Sequence, residues 1–260
     1  MNFKDRRSRY PGRYTIKPTD GSAPFIADLV RSDNPIDEGT ALNAATFNTL
    51  QRAITARNLL DNSNFRAPIN QRGGDAYVGP CYAIDRWRVA ANLTLTVYEG
   101  AVDVYCSHDA TARNGFTQVL APEKTPAPGT VVTVAYGYND NIVLCGSVAI
   151  PEAGYAYIGD TSGVGFRVQN DSGVVRVSLM IPPANHRTLH WMAVYEGEFT
   201  RDTLPQYQPK DYSTELMECM RYYQIRSTGK VDPMDLRPTM RAKPVVSELD
   251  DGGFEYAADL

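Results

Sequence analysis

The sequence predicts a mainly β protein: an antiparallel β-sandwich, preceded by an extended N-terminal arm and a short helix, with one short helix near the C-terminus. Three observations carry this. From Trp87 onward apolar and polar residues alternate over short runs, the period of half-buried strands. Turn formers separate those runs about every 8–12 residues, as in sandwiches and barrels. Tyrosine is abundant, 16 in 260 residues, and its ring with a polar tip suits both strands and binding surfaces.

Taken in order, residues 13–16 and 25–30 read as short extended pieces and 32–39 as a loop. Thr40 can cap a helix from Ala41 to about Asn58, in which Phe47, Leu50 and Ile54 form one apolar stripe. This sets a division into an attachment region, 1–58, and a sandwich, 59–260. Residues 58–89 read as a first strand that enters the sandwich, loops across one end at Asp61, Asn62, Gly73 and Gly74, and re-enters with Ile84 and Trp87 inward. Trp87, Val89, Leu93, Leu95 and Val97 alternate, with a bulge or break at 90–92; Val102, Val104 and Cys106 form the next strand. A Pro-rich loop follows at 121–129. Further strands are predicted over 130–137, 141–150, 163–169, 173–181 and 188–196. Ser213 can cap a helix to Tyr223 with Leu216, Cys219, Met220 and Tyr223 on one face. Residues 243–247 and 254–257 can add edge strands. Val177, Leu179 and Trp191 join Ile84, Trp87, Leu95 and Val97 in the predicted core.

Charge is uneven. Met1 to Lys17 holds Lys4, Arg6, Arg7, Arg9, Arg13 and Lys17 against Asp5, a net +5. With a whole-chain charge of −4, the remainder carries −9. The arm has no nucleic-acid reader motif, so docking on an acidic neighbouring protein, through Arg6, Arg7, Arg9 and Arg13, is the favoured reading and nucleic acid is not expected as a partner. The four cysteines are far apart with no CxxC pair, which argues for free, buried thiols made in a reducing compartment. No run approaches the ~20 apolar residues that span a membrane, and no secretory signal opens the chain.

Catalytic chemistry is weakly signalled, and the expectation is of no enzyme. Ser107, His108 and Asp109 are adjacent, but neighbours on a strand point to opposite faces, and a triad is defined by geometry. His186 and His190 would share a face if extended, without a third metal ligand. Phosphate-loop and dinucleotide motifs are absent. Trp87 and Trp191 sit in register with aliphatic neighbours and read as core anchors. Better placed to touch sugars are tyrosines beside Asn, Asp and Gly in expected loops: Tyr77, Tyr136, Tyr138, Tyr155 and Tyr157.

Two stretches resemble a known family. NLLDNSNFRAPINQRGGDAYVGPCYAIDRWRV (58–89) is similar to the opening segment of carbohydrate-binding-like jelly-roll domains in tail and fibre proteins of phages and prophages. VYEGEFTRDTLPQYQPKDYSTELMECMRYYQ (194–224), with MRAKPVV (240–246) and FEYAADL (254–260), resembles the closing segment of the same family. Residues 17–50 are similar to a segment that often precedes such domains. The likeness covers both ends and is patchy over 88–192. It implies a non-enzymatic virion structural protein, a tail, baseplate or fibre component assembled in the host cytoplasm and released by lysis. It further implies attachment to other virion proteins, a homotrimer, and contact with host-surface glycans. No cofactor is expected beyond the structural Ca²⁺ that such modules often hold, for which Asp61, Asn62 and Asp85 are the candidates by context. The alternatives are a capsid-bound head fibre or decoration protein without receptor role, and a small glycan-processing enzyme on a sandwich scaffold.

Overall fold

The computed structural model describes residues 13–16, 25–28, 46–47, 56–139, 141–159 and 163–258. The chain divides into two units, 1–55 and 56–260. In the first, β1 (Arg13–Ile16) and β2 (Phe25–Asp28) pair antiparallel, Arg13 opposite Asp28 and Ile16 opposite Phe25, which matches the predicted extended pieces. Of the helix predicted over 41–58, Thr46 and Phe47 are described and helical, whereas Ala56 to Asn58 are irregular. The rest of that helix, and Arg6, Arg7 and Arg9 of the arm, lie outside the described residues.

The second unit is an antiparallel β-sandwich. One layer has six strands in the order β11 (Gly154–Ile158), β12 (Gly165–Asp171), β13 (Val174–Ile181), β8 (Asn114–Val119), β5 (Arg88–Val89) and β4 (Cys81–Tyr82). The other combines a four-stranded sheet, β14 (His186–Leu189), β7 (Ala101–Cys106), β6 (Leu93–Tyr98) and β3 (Ala76–Val78), with a three-stranded one, β10 (Asn141–Ala149), β9 (Val131–Tyr138) and β15 (Trp191–Glu196). These two sheets meet where the His190 N–H donates to the Gly137 carbonyl at 3.0 Å. Val89, Phe116, Phe166, Val177 and Leu179 from the first layer share one core with Leu95, Val104, Val134, Met192 and Val194 from the second. Trp87 is at its centre, fully buried, stacked on Phe116 at 4.5 Å and edge-on to Phe65 at 5.3 Å, with its indole N–H donating to the Asn62 carbonyl at 2.7 Å. The predicted break at 90–92 is present: the chain turns between β5 and β6 through Asn92 at φ +63°.

Four expectations are corrected. No strand enters through 58–72; that segment is irregular and largely buried, with an Asn64–Trp191 bridge and scattered backbone bonds to 190–194 supplemented by side-chain bonds to its own backbone. Strands β8 and β11 were not legible, the first because it opens on the turn signal Asn-Gly, the second because its tyrosines face solvent. Helix α1 (Tyr212–Met220) is capped by Asp211, whose carboxylate accepts the Thr214 N–H at 3.1 Å, and its most buried residues are Glu215 and Cys219. The two C-terminal strands are not sandwich edges. β16 (Tyr223–Arg226), β17 (Val245–Glu248) and β18 (Phe254–Ala257) form their own sheet with β18 in the middle, over a small core of Leu236, Met240 and Tyr256. All four cysteines are free thiols; Cys106 and Cys219 are buried, Cys81 and Cys145 half-buried. Among the described residues no helix is long and apolar enough to cross a membrane.

Candidate functional site

The turn-rich segment 58–72 is held in place by polar side chains. Asn62 takes a left-handed backbone, φ +47°, which asparagine tolerates. Its carboxamide bonds the Ile69 N–H (2.7 Å), the Ile69 carbonyl (2.8 Å) and the Asp85 carbonyl (2.7 Å). Asp61 and Gln118 exchange two bonds, the Asp61 N–H to Gln118 Oε1 at 2.8 Å and Gln118 Nε2 to the Asp61 carbonyl at 2.7 Å. The Asp85 carboxylate accepts from Gln71 and pairs with Arg72 at 3.4 Å. The three residues proposed as calcium ligands are therefore neighbours without a shared focus: Asn62 is spent on backbone groups and Asp85 on Gln71 and Arg72.

Asp61 instead joins Glu215 and Glu218, whose oxygens lie within 4.8 Å of one another. Two ammonium groups occupy that space. Lys210 Nζ is 3.2 Å from Asp61, 3.2 Å from Glu215 and 2.6 Å from Glu218, and donates to the Leu60 carbonyl at 3.3 Å. Lys124 Nζ bonds Asp61 and lies 2.9 Å from Glu218, and Arg86 Nε is 3.3 Å from Asp61. Three acids thus meet three enclosed cations, and the exposed Arg57 guanidinium lies 3.7 Å from Glu218 at the edge. Burial alone would raise the Asp61 carboxyl, but Lys124, Arg86 and Lys210 outweigh it and hold it well below the ordinary range. Burial wins at Glu215, whose carboxyl is pushed up despite Lys210 and the Asn62 N–H. Burial would lower Lys210, yet Asp61, Glu215 and Glu218 drive it up. The cluster is an ionic tie between 60–62, the 122–124 turn and α1.

All five singled-out tyrosines lie on strands, not loops. Tyr136 is 2% exposed and packs edge-on to Phe166 in the core, so it cannot face a ligand. Tyr77 is half-buried; its hydroxyl donates to Asn70 and accepts the Gly74 N–H at 2.8 Å, bracing the 70–74 turn. Tyr155 and Tyr157 are exposed on the edge strand β11 with rings 5.1 Å apart, edge to face. Tyr138 is exposed at the end of β9, its ring 4.3 Å from that of His190.

Beside Tyr138 and His190 lies a cleft of about 290 Å³. Its wall begins with Trp191, the first residue of β15. The ring lies across Gly137, where a Cβ would come within 2.3 Å of the indole. Tyr207 stacks on the other side, centroids 5.2 Å apart and planes 11° from parallel, with its hydroxyl 3.2 Å from Ser63 Oγ; burial pushes its phenol up. Leu204, Pro205 and Pro209 continue the apolar wall, and Asn64, Arg66, His190 and Gln206 supply the polar rim. His190 Nδ1 accepts both the Asn139 N–H at 2.9 Å and Arg66 Nε at 3.2 Å, which puts the proton of the neutral ring on Nε2. A planar rim of amide, guanidinium and imidazole above an apolar wall can bond hydroxyls while covering C–H groups. Trp191, read from the sequence as a core anchor, is indeed buried with Ala135, Ala193, Tyr195 and Phe199 and also lines the cleft; sequence reasoning missed Tyr207 and Gln206 and read His186 and His190 as a pair without a third metal ligand. His186 instead sits 3.1 Å from Asp103. The signal that was available is the aromatic–amide run Leu-Pro-Gln-Tyr-Gln-Pro at 204–209, bracketed by prolines.

Ser107, His108 and Asp109 do not form a relay. Ser107 Oγ accepts the Asp109 N–H at 3.2 Å, and His108 Nδ1 is 2.6 Å from the Tyr105 hydroxyl. Comparison with protein-family models, with curated proteins and with solved structures finds no match to this chain.

Proposed function

We propose that this chain is a non-enzymatic virion structural protein, a tail, baseplate or fibre component, whose sandwich contacts bacterial surface glycans through the Trp191–Tyr207 cleft. The observation that carries the glycan reading is the cleft itself, with apolar Leu204, Pro205 and Pro209 under a rim of Asn64, Arg66, His190 and Gln206. The resemblance of 58–89 and 194–224 to phage tail and fibre domains supports the virion setting. Both faces of Trp191 are covered, by β9 at Gly137 and by Tyr207, so the rim's hydrogen bonds carry most of the selectivity. Such a shallow polar site binds weakly, about 0.1–1 mM per copy, because little is gained beyond the cost of ordering the ligand. Linked copies in an oligomer would make adsorption tight. The test incubates purified full-length protein with extracted bacterial wall glycans. Saturable binding without release of reducing ends is expected. Glycan shortening would replace this reading by the enzyme one, and a folded protein that binds no surface glycan would favour a purely architectural role.

A further inference from the structure

The outward face of the six-stranded sheet carries one continuous cross-strand row. Tyr82 is opposite Arg88, Arg88 opposite Thr117, Thr117 opposite Ser178, Ser178 opposite Arg167, and Arg167 opposite Tyr157. Their chain neighbours Val89, Phe116, Val177, Phe166, Val168 and Ile158 are buried in the core, so alternation turns the row away from it. The Thr117 and Ser178 hydroxyls, 2.8 Å apart, confirm the shared face. At about 4.8 Å between neighbouring strands the row runs ~24 Å, and Arg88 and Arg167 stand three strands, ~14 Å, apart.

The charges on this row are uncompensated. Among the described residues neither Arg88 nor Arg167 has an ion-pair or hydrogen-bond partner, and Arg167 Nε is buried without one. Buried donors are nearly always satisfied, so an orphan guanidinium N–H calls for an acceptor. In the adjoining row Arg176 is already paired, with Asp171. A cleft of about 330 Å³ lined by Tyr82, Arg88, Thr117, Val119 and Arg176 opens over one end. The row therefore reads phenol, cation, two hydroxyls, cation, phenol.

We propose that this row is a second binding track, for an anionic cell-surface polymer whose carboxylates or phosphates are separated by neutral units. Arg88 and Arg167 each take one carboxylate or phosphate in a forked, charge-assisted pair. Thr117 lies under the intervening neutral unit, its hydroxyl held by that of the buried Ser178, and Tyr82 and Tyr157 offer ring faces at the two ends. The spacing disfavours nucleic acid, whose duplex carries a charge every ~1.7 Å against two free arginines on a body of net negative charge. The track is separate from the Trp191–Tyr207 cleft and stands or falls independently of it.

The test is affinity electrophoresis of the full chain in gels holding hyaluronate (a carboxylate on alternate sugars), polyglycerol-phosphate teichoic acid, neutral dextran, or single-stranded DNA. Retardation by hyaluronate or teichoic acid, and not by dextran, is expected; which of the two acts identifies carboxylate or phosphate as the charge read. Arg88→Ala and Arg167→Ala should each weaken binding about tenfold, the loss typical of a charged hydrogen-bonded contact. Urea midpoints certify that each variant is folded. Equal retardation by dextran, stronger retardation by DNA, undiminished binding by a folded Arg88→Ala/Arg167→Ala protein, or no retardation by either acidic glycan would overturn the proposal.

Discussion

At Asp61 three cations and one carboxylate share a buried site that no local pattern announces, because Lys124 and Lys210 are 63 and 149 residues away in the chain. Removing one partner from such a cluster strands the others. Asp61→Ala is therefore expected to destabilise the fold by about 3–5 kcal/mol, read as a shift in urea midpoint at pH 7. The pH dependence has a definite sign. Asp61 has a depressed carboxyl, so its contribution is complete above the ordinary aspartate range, about 3.9, and is lost as the pH falls through its folded value. Glu215 is raised, so stability falls as the pH rises from the ordinary glutamate range through its folded value. Glu215→Gln should remove that second slope and leave the first; an unchanged profile from pH 4 to 7 would show that the fold does not raise the Glu215 carboxyl. Trp87 is the opposite case in legibility. Its inward position followed from alternation alone, and truncation to alanine should cost about 3–5 kcal/mol in the same assay.

Among the elements, strands rich in alternating or continuous β-branched residues were readable, whether solvated on one face or, like β9, buried on both, and β8 and β11 were not. β9, β10, β12 and β13 lie within two residues of their predicted bounds, β6 and β7 carry the predicted alternating residues, and the break at 90–92 fell where the alternation slips. β8 was hidden because Asn-Gly opens it and Gln118 points inward to serve Asp61. β11 was hidden because it is an edge strand whose tyrosines are exposed. The cap of α1 was displaced by two residues: Ser213 has the right chemistry, but Asp211 has the extended backbone and the bond to Thr214. Asp211→Ala should cost roughly 1 kcal/mol, measured as a loss of midpoint without change in slope. Gly137 is set by its neighbour across the ladder. A methyl group there collides with the Trp191 indole, so Gly137→Ala should destabilise by about 1–3 kcal/mol and disturb the cleft wall together. Unaltered stability and binding in that variant would mean that the indole has room to move.

For the whole molecule, the sequence resolved the architecture, a β-sandwich following an N-terminal region, better than it resolved the site. The two layers of the sandwich share one core, with smaller clusters around Trp191 and under the C-terminal sheet, and the chain divides between 55 and 56. A protein starting at Ala56 is therefore expected to fold with the cooperative unfolding of the full chain; an unfolded product would show that 1–55 belongs to the core. The cleft was illegible because its parts, Asn64 and Arg66, His190 and Trp191, and the 204–209 run, converge only once the strands have paired. The two tryptophans give the most direct test of the glycan-binding claim. Trp87 is fully buried in the core, whereas Trp191 lines the cleft. Tryptophan fluorescence titrated with bacterial wall glycan should change saturably, with a midpoint of about 0.1–1 mM per site, and the change should vanish in Trp191→Phe. Glycan binding that leaves the fluorescence of the native protein unchanged, or a signal that survives in Trp191→Phe, would contradict the assignment of the cleft.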